Sequence, residues 1–341
     1  MNTIKLYLKI TNPKENHNGF PYHDGENVLI GEFNDDPTAS CVRGGLYFTD
    51  IEHILEFLNY GTYVRVITLP INDPDFKMVK DGKNKWRANK IILGKRYNLC
   101  DVSTFQYLLD QGADIHAIAN KKVFRWACKN GYLEVAKWLW QLGNEISSPI
   151  NIHAHDEYAF RYACEKGHLE IAQWLHLLGN KLSSPIDIHA YNEHAFECAC
   201  EKGHLEIAKW LYILGNEIGS PINIHADDEF AFRYACHNKH LEIAKWLYLL
   251  GNETGSPINI HANNEYAFRS ACYDGHLEIA KWLYLLGNEI GSPINIHVDN
   301  EFAFRWACKN SHLEVAKWLC ILCDKYNIDV SPNNKIRYSI N

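Results

Sequence analysis

Residues 203–215 read Gly203-His-Leu-Glu-Ile-Ala-Lys-Trp-Leu-Tyr-Ile-Leu-Gly215, and close copies of this segment recur through most of the 341-residue chain. Its tryptophan returns every 36 residues, at Trp138, Trp174, Trp210, Trp246, Trp282 and Trp318. A fixed period of this size is typical of a repeat array, in which each unit is one supersecondary element stacked on its neighbours. The period therefore predicts a long, repetitive surface and favours a binding scaffold over an enzyme.

Each repeat divides into two helices and a connection. Phe232, Ala235 and Cys236 have the spacing i, i+3, i+4 of one helical face, and a second apolar stripe runs through residues 241–250. Between them lies a turn whose equivalents mostly end in glycine, the residue that best relieves the left-handed conformation at a helix end. Residues 251–262 carry turn chemistry and no helical period. The unit is predicted as helix, turn, helix and long loop.

The composition narrows the class of protein. The chain has no charged-then-apolar leader and no apolar run of 18 residues, so neither secretion nor a membrane span is expected. Of eleven cysteines, six occupy one fixed repeat position, which indicates packing in a reducing, intracellular compartment. These are Cys128, Cys164, Cys200, Cys236, Cys272 and Cys308.

Charge differs between the two parts of the chain. Residues 1–99 carry 13 Lys and Arg against 12 Asp and Glu, whereas the remainder carries 21 against 29. An acidic array is a poor nucleic-acid ligand, because affinity there depends on neutralising phosphates. We therefore expect a protein partner, with neither nucleic acid nor membrane, and a monomeric chain.

The repeats resemble the ankyrin family. Tyr266-Ala-Phe-Arg-Ser-Ala-Cys272 is similar to the family's T-P-L-H-x-A-A, and Gly275-His-Leu-Glu-Ile-Ala-Lys-Trp-Leu-Tyr284 to G-H-L-E-V-V-K-L-L-L. Copies begin near residues 122, 158, 194, 230, 266 and 302, after a half-copy at 102–116. The resemblance implies a mostly α fold, an ankyrin-like α-solenoid of helix-turn-helix repeats. The period is 36 rather than 33, so we expect the projecting finger between repeats to be reshaped or partly helical.

Periodic tryptophan, Ala-Cys pairs and abundant Asn, Ile and Tyr look closest to the ankyrin-repeat proteins of Mimivirus-type giant amoeba viruses. Gly44–Gly61 also resembles the leader domain of those proteins. This resemblance implies an interaction protein in the cytoplasm of an infected host cell, without a cofactor and without catalytic activity.

The first 99 residues are predicted as a small α+β leader domain. Thr3–Ile10, Tyr63–Leu69 and Trp86–Leu93 have strand-like alternation, and Thr49-Asp-Ile-Glu52 is a capping box that predicts a helix start. Residues 100–323 are assigned to the repeats and 324–341 to a polar tail. The run from Lys77 to Arg96 holds eight Lys or Arg and one acid, which fits a solvated hairpin or a contact with an anion, a nucleic acid or an acidic protein.

Two histidine ladders invite a metal interpretation, one represented by His189 in the loop and one by His204 at the second helix. Neighbouring helices lie about 8–10 Å apart, whereas zinc ligands lie about 2 Å from the metal. Hydrogen-bonded struts are therefore expected instead. Cys320 and Cys323 form one isolated pair, and metal sites usually need a second, so no metal site is predicted.

An alternative function is catalytic. Gly44-Gly-Leu-Tyr-Phe-Thr-Asp50 is faintly similar to a stretch of poly-ADP-ribosyltransferases. On that reading the leader is an effector enzyme, for example for ADP-ribosyl transfer, and the repeats hold its substrate. Histidine and glutamate partners for such a site are missing from the leader pattern, so no catalytic residue is assigned.

Comparison of the copies separates scaffold from surface, because tightly packed positions barely change. Two positions vary freely, and in ankyrin proteins the matching positions line the concave face. The last turn of the first helix supplies Lys129, Glu165, Glu201, His237, Tyr273 and Lys309 as candidate partner-binding residues, and the preceding loop supplies His155, Tyr191, Asp227, Asn263 and Asp299. Neutral variation of a solvated surface would look the same. Arginines such as Arg233 and Arg269 form a column broken by Glu197, and we expect them to pair with glutamates.

Overall fold

The computed structural model describes residues 5–17, 19–39, 41–324, 326–330 and 336–340. The chain divides into two compact units, residues 1–159 and residues 160–341. The predicted class is confirmed: paired helices follow a strand-rich N-terminal region.

The N-terminal region is built on a seven-stranded antiparallel sheet with the order β4-β9-β6-β1-β5-β8-β7. Its strands are β1 (Tyr7–Thr11), β4 (Gly25–Val28), β5 (Leu46–Asp50), β6 (Tyr63–Thr68), β7 (Met78–Asp81), β8 (Lys85–Ala88) and β9 (Lys90–Asn98). Two short strands, β2 (Asn16–His17) and β3 (Phe20–Pro21), pair separately. Leu46, Phe48 and Trp86 form the core of one face, because alternate residues of a strand point to the same side.

Two local predictions for this region need correction. The stretch Trp86–Leu93 forms parts of two strands rather than one, with a break at Asn89 between β8 and β9. The expected capping box does not start a helix, because Thr49 lies in β5 and its hydroxyl donates to the carbonyl of Asn84. A 3-10 helix begins later and spans Ile54–Tyr60.

Helices follow within the first unit, and the predicted boundary at residue 99 falls between β9 and the first of them. They are α1 (Val102–Asp110), α2 (Ile115–Ile118), α3 (Lys121–Lys129) and α4 (Leu133–Glu145), while α5 (Ala154–Glu165) spans the division between the units. Tyr97 of β9 stacks on Tyr107 of α1 with ring centroids 4.1 Å apart. The sheet and the first helix therefore share a packed junction.

The second unit contains helix pairs at the predicted period. The second helices of the repeats are α6 (Leu169–Lys181), α8 (Leu205–Glu217), α10 (Leu241–Glu253), α12 (Leu277–Glu289) and α14 (Leu313–Leu322). The first helices are α7 (Ala190–Glu201), α9 (Ala226–His237), α11 (Ala262–Tyr273) and α13 (Val298–Lys309), and successive first helices contact each other. None of the helices in the described ranges is both long enough and apolar enough to span a membrane.

The repeated aromatic residues pack between successive repeats. The ring of Phe196 in α7 lies 6.2 Å from Trp246 in α10, and Phe232 lies 6.1 Å from Trp282. The phenylalanines are fully buried, as are the repeated alanines and cysteines beside them. Burial raises the pKa of the Cys236 thiol well above its usual range, which disfavours the thiolate and fits a packing role.

The segment 324–341, predicted as a polar tail, contains an antiparallel hairpin. Its strands are β10 (Tyr326–Val330) and β11 (Ile336–Ile340). The ring of Tyr338 meets the buried Phe304 edge to face, with centroids 5.6 Å apart. The hairpin therefore lies against the last repeat.

Candidate protein-binding surface

A left-handed turn lies at the start of the first helices α5, α7, α9, α11 and α13 and contains the loop candidates. Asp227, Asp228 and Glu229 have φ of 47°, 57° and 64°, and right-handed helix begins at Phe230, where the sequence predicted it. The same three-residue turn occurs in α5, α7, α11 and α13. Left-handed helix costs about 1–2 kcal/mol per residue, which explains the frequency of Asn and Asp here. The finger expected to be reshaped is thus a left-handed turn.

A buried glutamate is the last residue of four of the five turns and holds the turn in place. The Nδ1 atom of His225 lies 2.9 Å from Oε1 of Glu229, whose side chain is buried, and the same oxygen accepts from the backbone N–H of Asn259 at 3.0 Å. Asn223 and Asn295 donate in the same way to Glu193 and Glu265. Glu193, Glu229 and Glu265 therefore each join their own turn to the loop of the next repeat.

The loop histidines extend these links. The other ring nitrogen of His189 lies 2.9 Å from the hydroxyl of Ser220, and His261 makes the same contact with Ser292. The struts predicted for this ladder are confirmed at His189 and His261, whereas the Nε2 atoms of His153 and His225 have no hydrogen-bond partner among the described residues. The second ladder also spans repeats, because the Nε2 atom of His204 lies 3.1 Å from the carbonyl oxygen of Glu165.

The hydrogen-bond partners of the arginine column differ from those predicted. Arg233 donates to the carbonyl oxygens of Asp227 and Asp228 at 2.8 and 2.6 Å, and its guanidinium lies 5.1 Å from the ring of Tyr266. Arg269 repeats this pattern and also forms an ion pair with Asp299. The expected pairing with glutamates is therefore wrong at these two positions. Carbonyl groups that point away from a left-handed turn need donors, and arginine supplies two at once.

Glu197 stands where the other copies have arginine. Its side chain is 7% exposed, and its Oε1 atom has no hydrogen-bond partner among the described residues. Burial, with the nearby Asp227 and Glu193 carboxylates, raises the pKa of Glu197 to about 7. This repeat therefore carries a buried acid at the position where the other copies have an arginine.

The loop candidates are exposed, and each lies in one of the left-handed turns. Tyr191 is 67% exposed beneath the Arg161 guanidinium. The carboxylate of Asp227 accepts from Asn192, and that of Asp299 accepts from Asn264, so each carboxylate bridges two turns. Asn263 contributes its carbonyl oxygen to Arg269, and His155 is exposed in the turn of the first unit.

The helix-end candidates have mixed environments. Glu165 and Glu201 form ion pairs with the lysine that follows each of them. The Nδ1 atom of His237 lies 3.2 Å from the carboxylate of Asp274. Lys309 lies over the ring of Trp306 at 3.9 Å, while Lys129 is half-buried at the end of α3.

Sequence comparison missed an aromatic surface beside these candidates. Phe230 stacks on Tyr234 at 4.1 Å, Tyr234 lies 5.5 Å from Tyr266, and His237 lies 6.2 Å from Tyr266. All four residues are half-buried rather than buried. We call Phe230, Tyr234, His237 and Tyr266 the aromatic cluster. The sequence did contain a sign of this surface, because aromatic residues also occur at the equivalent positions of other copies.

Further aromatic contacts continue along the first helices of the second unit. Tyr273 lies 5.2 Å from Trp306 and 6.3 Å from Phe302, and the Arg269 guanidinium lies 5.1 Å from Phe302. Half-exposed rings with flanking arginines have the composition found at the centres of protein interfaces.

A second surface of another kind occupies the second helices. One exposed aliphatic side chain recurs at a fixed repeat position, with 53% exposure at Ile213 and 57% at both Leu249 and Leu285. We call Leu177, Ile213, Leu249, Leu285 and Ile321 the aliphatic row. Single exposed aliphatic residues are common, so this row is a weaker candidate than the aromatic cluster.

The basic segment at 77–96 is largely used inside the first unit. It contains the predicted hairpin, but Arg87 is fully buried against the equally buried Asp81 at 2.5 Å. Lys90 pairs with Asp73 at 2.6 Å, and Arg96 lies over the ring of Tyr63. The solvated interpretation is therefore wrong for Arg87, which is part of the fold.

Potential metal ligands come together at one place in the described part of the chain. Asp50, Glu52 and His53 lie close enough to share an ion. Asp50 already contacts Lys5 at 2.8 Å and the Nδ1 atom of His53 at 2.6 Å, which lowers the pKa of its carboxyl group. These internal contacts satisfy the cluster without a ligand.

Stacked pairs of antiparallel helices with a period of 36 residues, linked by turns and histidine struts, define a helical repeat protein. The family described as ankyrin repeats in three copies matches residues 95–184, 124–222 and 232–334, more than half of the chain. The chain belongs to the ankyrin repeat family. Its repeats support a role in protein–protein interaction.

Similar proteins occur in Acanthamoeba polyphaga mimivirus. Ankyrin repeat protein R868 is 44% identical over 138 residues, which cover 40% of this chain and 67% of that protein. The uncharacterized protein R869 is 48% identical over 133 residues, covering 39% of this chain and 96% of its own length. Ankyrin repeat protein R229 is 44% identical over 145 residues, covering 39% and 46% respectively.

Proposed function

We propose that the repeats bind one protein partner on the face formed by the first helices and the left-handed turns. The observation that carries this proposal is the aromatic cluster, in which adjacent repeats combine their rings into one half-exposed surface. Large rings with few rotatable bonds give much contact area at a small cost in conformational entropy. The matching face is concave in ankyrin proteins, and we assign to it the nine candidate positions of the second unit.

The charge on this face specifies the partner's chemistry further. Arg233 and Arg269 lie over rings and donate to backbone carbonyls, so their positions are fixed before a partner arrives. Acidic groups such as Asp227 lie one turn away and are exposed. We propose a partner segment with apolar or aromatic anchor residues and charges of both signs at its rim. Because the arginines are already fixed, little conformational entropy is lost when it binds.

We propose that the partner is a protein of an amoeba host and that the repeats act in the host cytoplasm, a proposal supported by the mimivirus relatives. A photo-crosslinking side chain, benzoyl-phenylalanine, is introduced at Tyr191 on the proposed face and, as a matched control, at Leu285 in the aliphatic row. The two positions have similar exposure, 67% and 57%. Irradiation in amoeba lysate should give a discrete adduct from position 191 alone. Equal adducts from both positions, or an adduct from 285 alone, would refute the assignment of the face.

Binding without catalysis is proposed for the whole chain. The alternative, ADP-ribosyl transfer by residues 1–99, predicts label transfer from radiolabelled NAD to a host protein or to the chain itself. We expect no transfer above that of a heat-denatured control. Transfer that depends on Tyr47 would establish the enzymatic alternative.

A further inference from the structure

A cavity opens in the N-terminal sheet region, and none of the candidate partner-binding residues is among the described residues that line it. Its volume is about 1050 Å³, and strands β1 and β5 supply much of its wall. Cavities that bind small molecules commonly have volumes of about 300–1000 Å³. This cavity therefore has room for a nucleotide-sized ligand.

Four basic side chains line the cavity: Lys9, His17, Arg43 and Lys85. No aspartate or glutamate is among the described residues that line it. Lys85 is partly neutralised, since its ammonium lies 3.3 Å from the carboxylate of Asp81. Neither Lys9 nor Arg43 forms an ion pair with any described carboxylate. The lining therefore carries positive charge that the protein does not balance.

Lys9 is the unusual member of this set. Lys9 lies in β1, the central strand of the sheet, and its side chain is only 4% exposed. The ammonium donates to the carbonyl oxygen of Tyr47 at 2.7 Å and lies 4.4 Å from the ring of Tyr22. Burial without a countercharge lowers the pKa of Lys9 to about 7. Burying a cation without an anion costs free energy. A bound anion would offset that cost at Lys9.

Aromatic rings occupy much of the remaining lining. They are Phe20, Tyr22, Tyr47, Phe48, Phe57 and Tyr60. Tyr47 is fixed by donation of its hydroxyl to the carbonyl oxygen of Val42 at 2.7 Å. Rings of this kind favour a planar ligand group, because stacking is geometrically undemanding and independent of the ligand's exact substitution.

We propose that this cavity binds a small molecule in which a planar ring is joined to a phosphate, with Lys9 and Arg43 as the anion's partners and the aromatic lining around the ring. Charge-assisted hydrogen bonds from ammonium and guanidinium groups suit phosphate oxygens. No chemical step is implied, since binding alone explains the charge and the rings. The described residues that line this site fall within residues 8–85 and share no residue with the proposed protein-binding face.

Isothermal titration calorimetry of the full chain with adenosine monophosphate tests the site, with adenosine and inorganic phosphate as the two halves of the probe. We expect a dissociation constant below about 1 mM for the nucleotide and binding at least about tenfold weaker for either half. Lys9→Met should weaken nucleotide binding by about tenfold or more, while Lys14→Met, a change at an exposed residue outside the cavity, should leave it unchanged.

Arg43→Gln provides a second variant at an exposed position, where loss of folding is not expected. It should weaken the nucleotide by about threefold or more, because it removes a charged hydrogen-bond donor. No nucleotide binding at about 5 mM would overturn the proposal. So would equal affinities for adenosine and its monophosphate, or wild-type affinity in both the Lys9 and Arg43 variants.

Discussion

The ring of Trp246 lies 6.2 Å from the ring of Phe196, which belongs to the preceding repeat. The phenylalanine is fully buried, whereas the tryptophan is half-buried and covers it. The same pair recurs between Phe232 and Trp282 and between Phe268 and Trp318. The 36-residue period of tryptophan is therefore the period of an inter-repeat contact, and each repeat depends on its neighbour for its core.

Trp246→Ala should lower the free energy of unfolding of the second unit by about 3 kcal/mol, because it uncovers Phe196 and leaves a cavity between repeats. The neighbouring change Leu249→Ala is the control, since Leu249 is 57% exposed and should cost less than about 0.5 kcal/mol. Urea denaturation followed by circular dichroism measures both. Equal midpoints for the two variants would contradict the packing role of the tryptophan.

Glu229→Ala should destabilise the second unit by about 2–3 kcal/mol, because it removes a charged acceptor from His225 and from the backbone N–H of Asn259. Glu253→Ala, at an exposed position on α10, is the matched control and should have little effect. Hydrogen exchange of the Asn259 amide gives a local readout. Unchanged protection of that amide in Glu229→Ala would show that the strut does not hold the loop.

Lys239→Gly should stabilise the second unit by about 1 kcal/mol. Lys239 has φ of 69°, at the turn position where Gly203 has φ of 86°, and a side chain there is strained. The reciprocal change Gly203→Lys should destabilise by more, because a Cβ there would lie 2.6 Å from the His240 ring. A lower thermal midpoint for Lys239→Gly would contradict this account of the turn.

Glu197→Gln should stabilise the chain at pH 8 but not at pH 4. The folded protein raises the pKa of Glu197 to about 7, above the ordinary carboxyl value, so the folded state holds its proton more tightly. Wild-type stability therefore falls as pH rises from about 4.5 to 7, and the variant lacks this loss. After allowance for solvent screening, the difference above pH 7 is on the order of 2 kcal/mol.

Paired thermal melts of wild type and Glu197→Gln across this pH range measure the effect. Glu242→Gln is the control, since Glu242 is exposed and should give a difference that does not vary with pH. A constant offset between Glu197→Gln and wild type from pH 4 to pH 8 would mean that Glu197 titrates normally.

Periodicity predicted most of the repeat architecture because buried positions repeat strictly. The start of right-handed helix at Phe230 and the struts at His189 and His261 were both predictable from fixed spacing. The left-handed turn was not, since three consecutive positive φ values have no established sequence signature. Arg233 was misassigned because its acceptors are backbone carbonyls, which a sequence does not display.

The candidate surface was predicted only in part. Variation between copies selected His237 and Tyr273, which contact the rings now seen around them. It passed over Phe230 and Tyr266 because an aromatic residue at a repeated position suggests core packing. Exposure depends on how successive first helices pack side by side, and that geometry becomes visible only in three dimensions. The buried Lys9 was likewise indistinguishable from any lysine in an alternating strand.

The partner is proposed to bind the aromatic cluster and the neighbouring ring of Tyr273, and not the aliphatic row. Once the adduct from position 191 identifies that partner, its affinity is measured by calorimetry for two triple variants. Tyr234→Ser, Tyr266→Ser and Tyr273→Ser together should weaken binding by about 100-fold or more, since buried rings dominate interface energies. Ile213→Ser, Leu249→Ser and Leu285→Ser together should leave it unchanged; loss of binding in this second variant, with the first unaffected, would contradict the account.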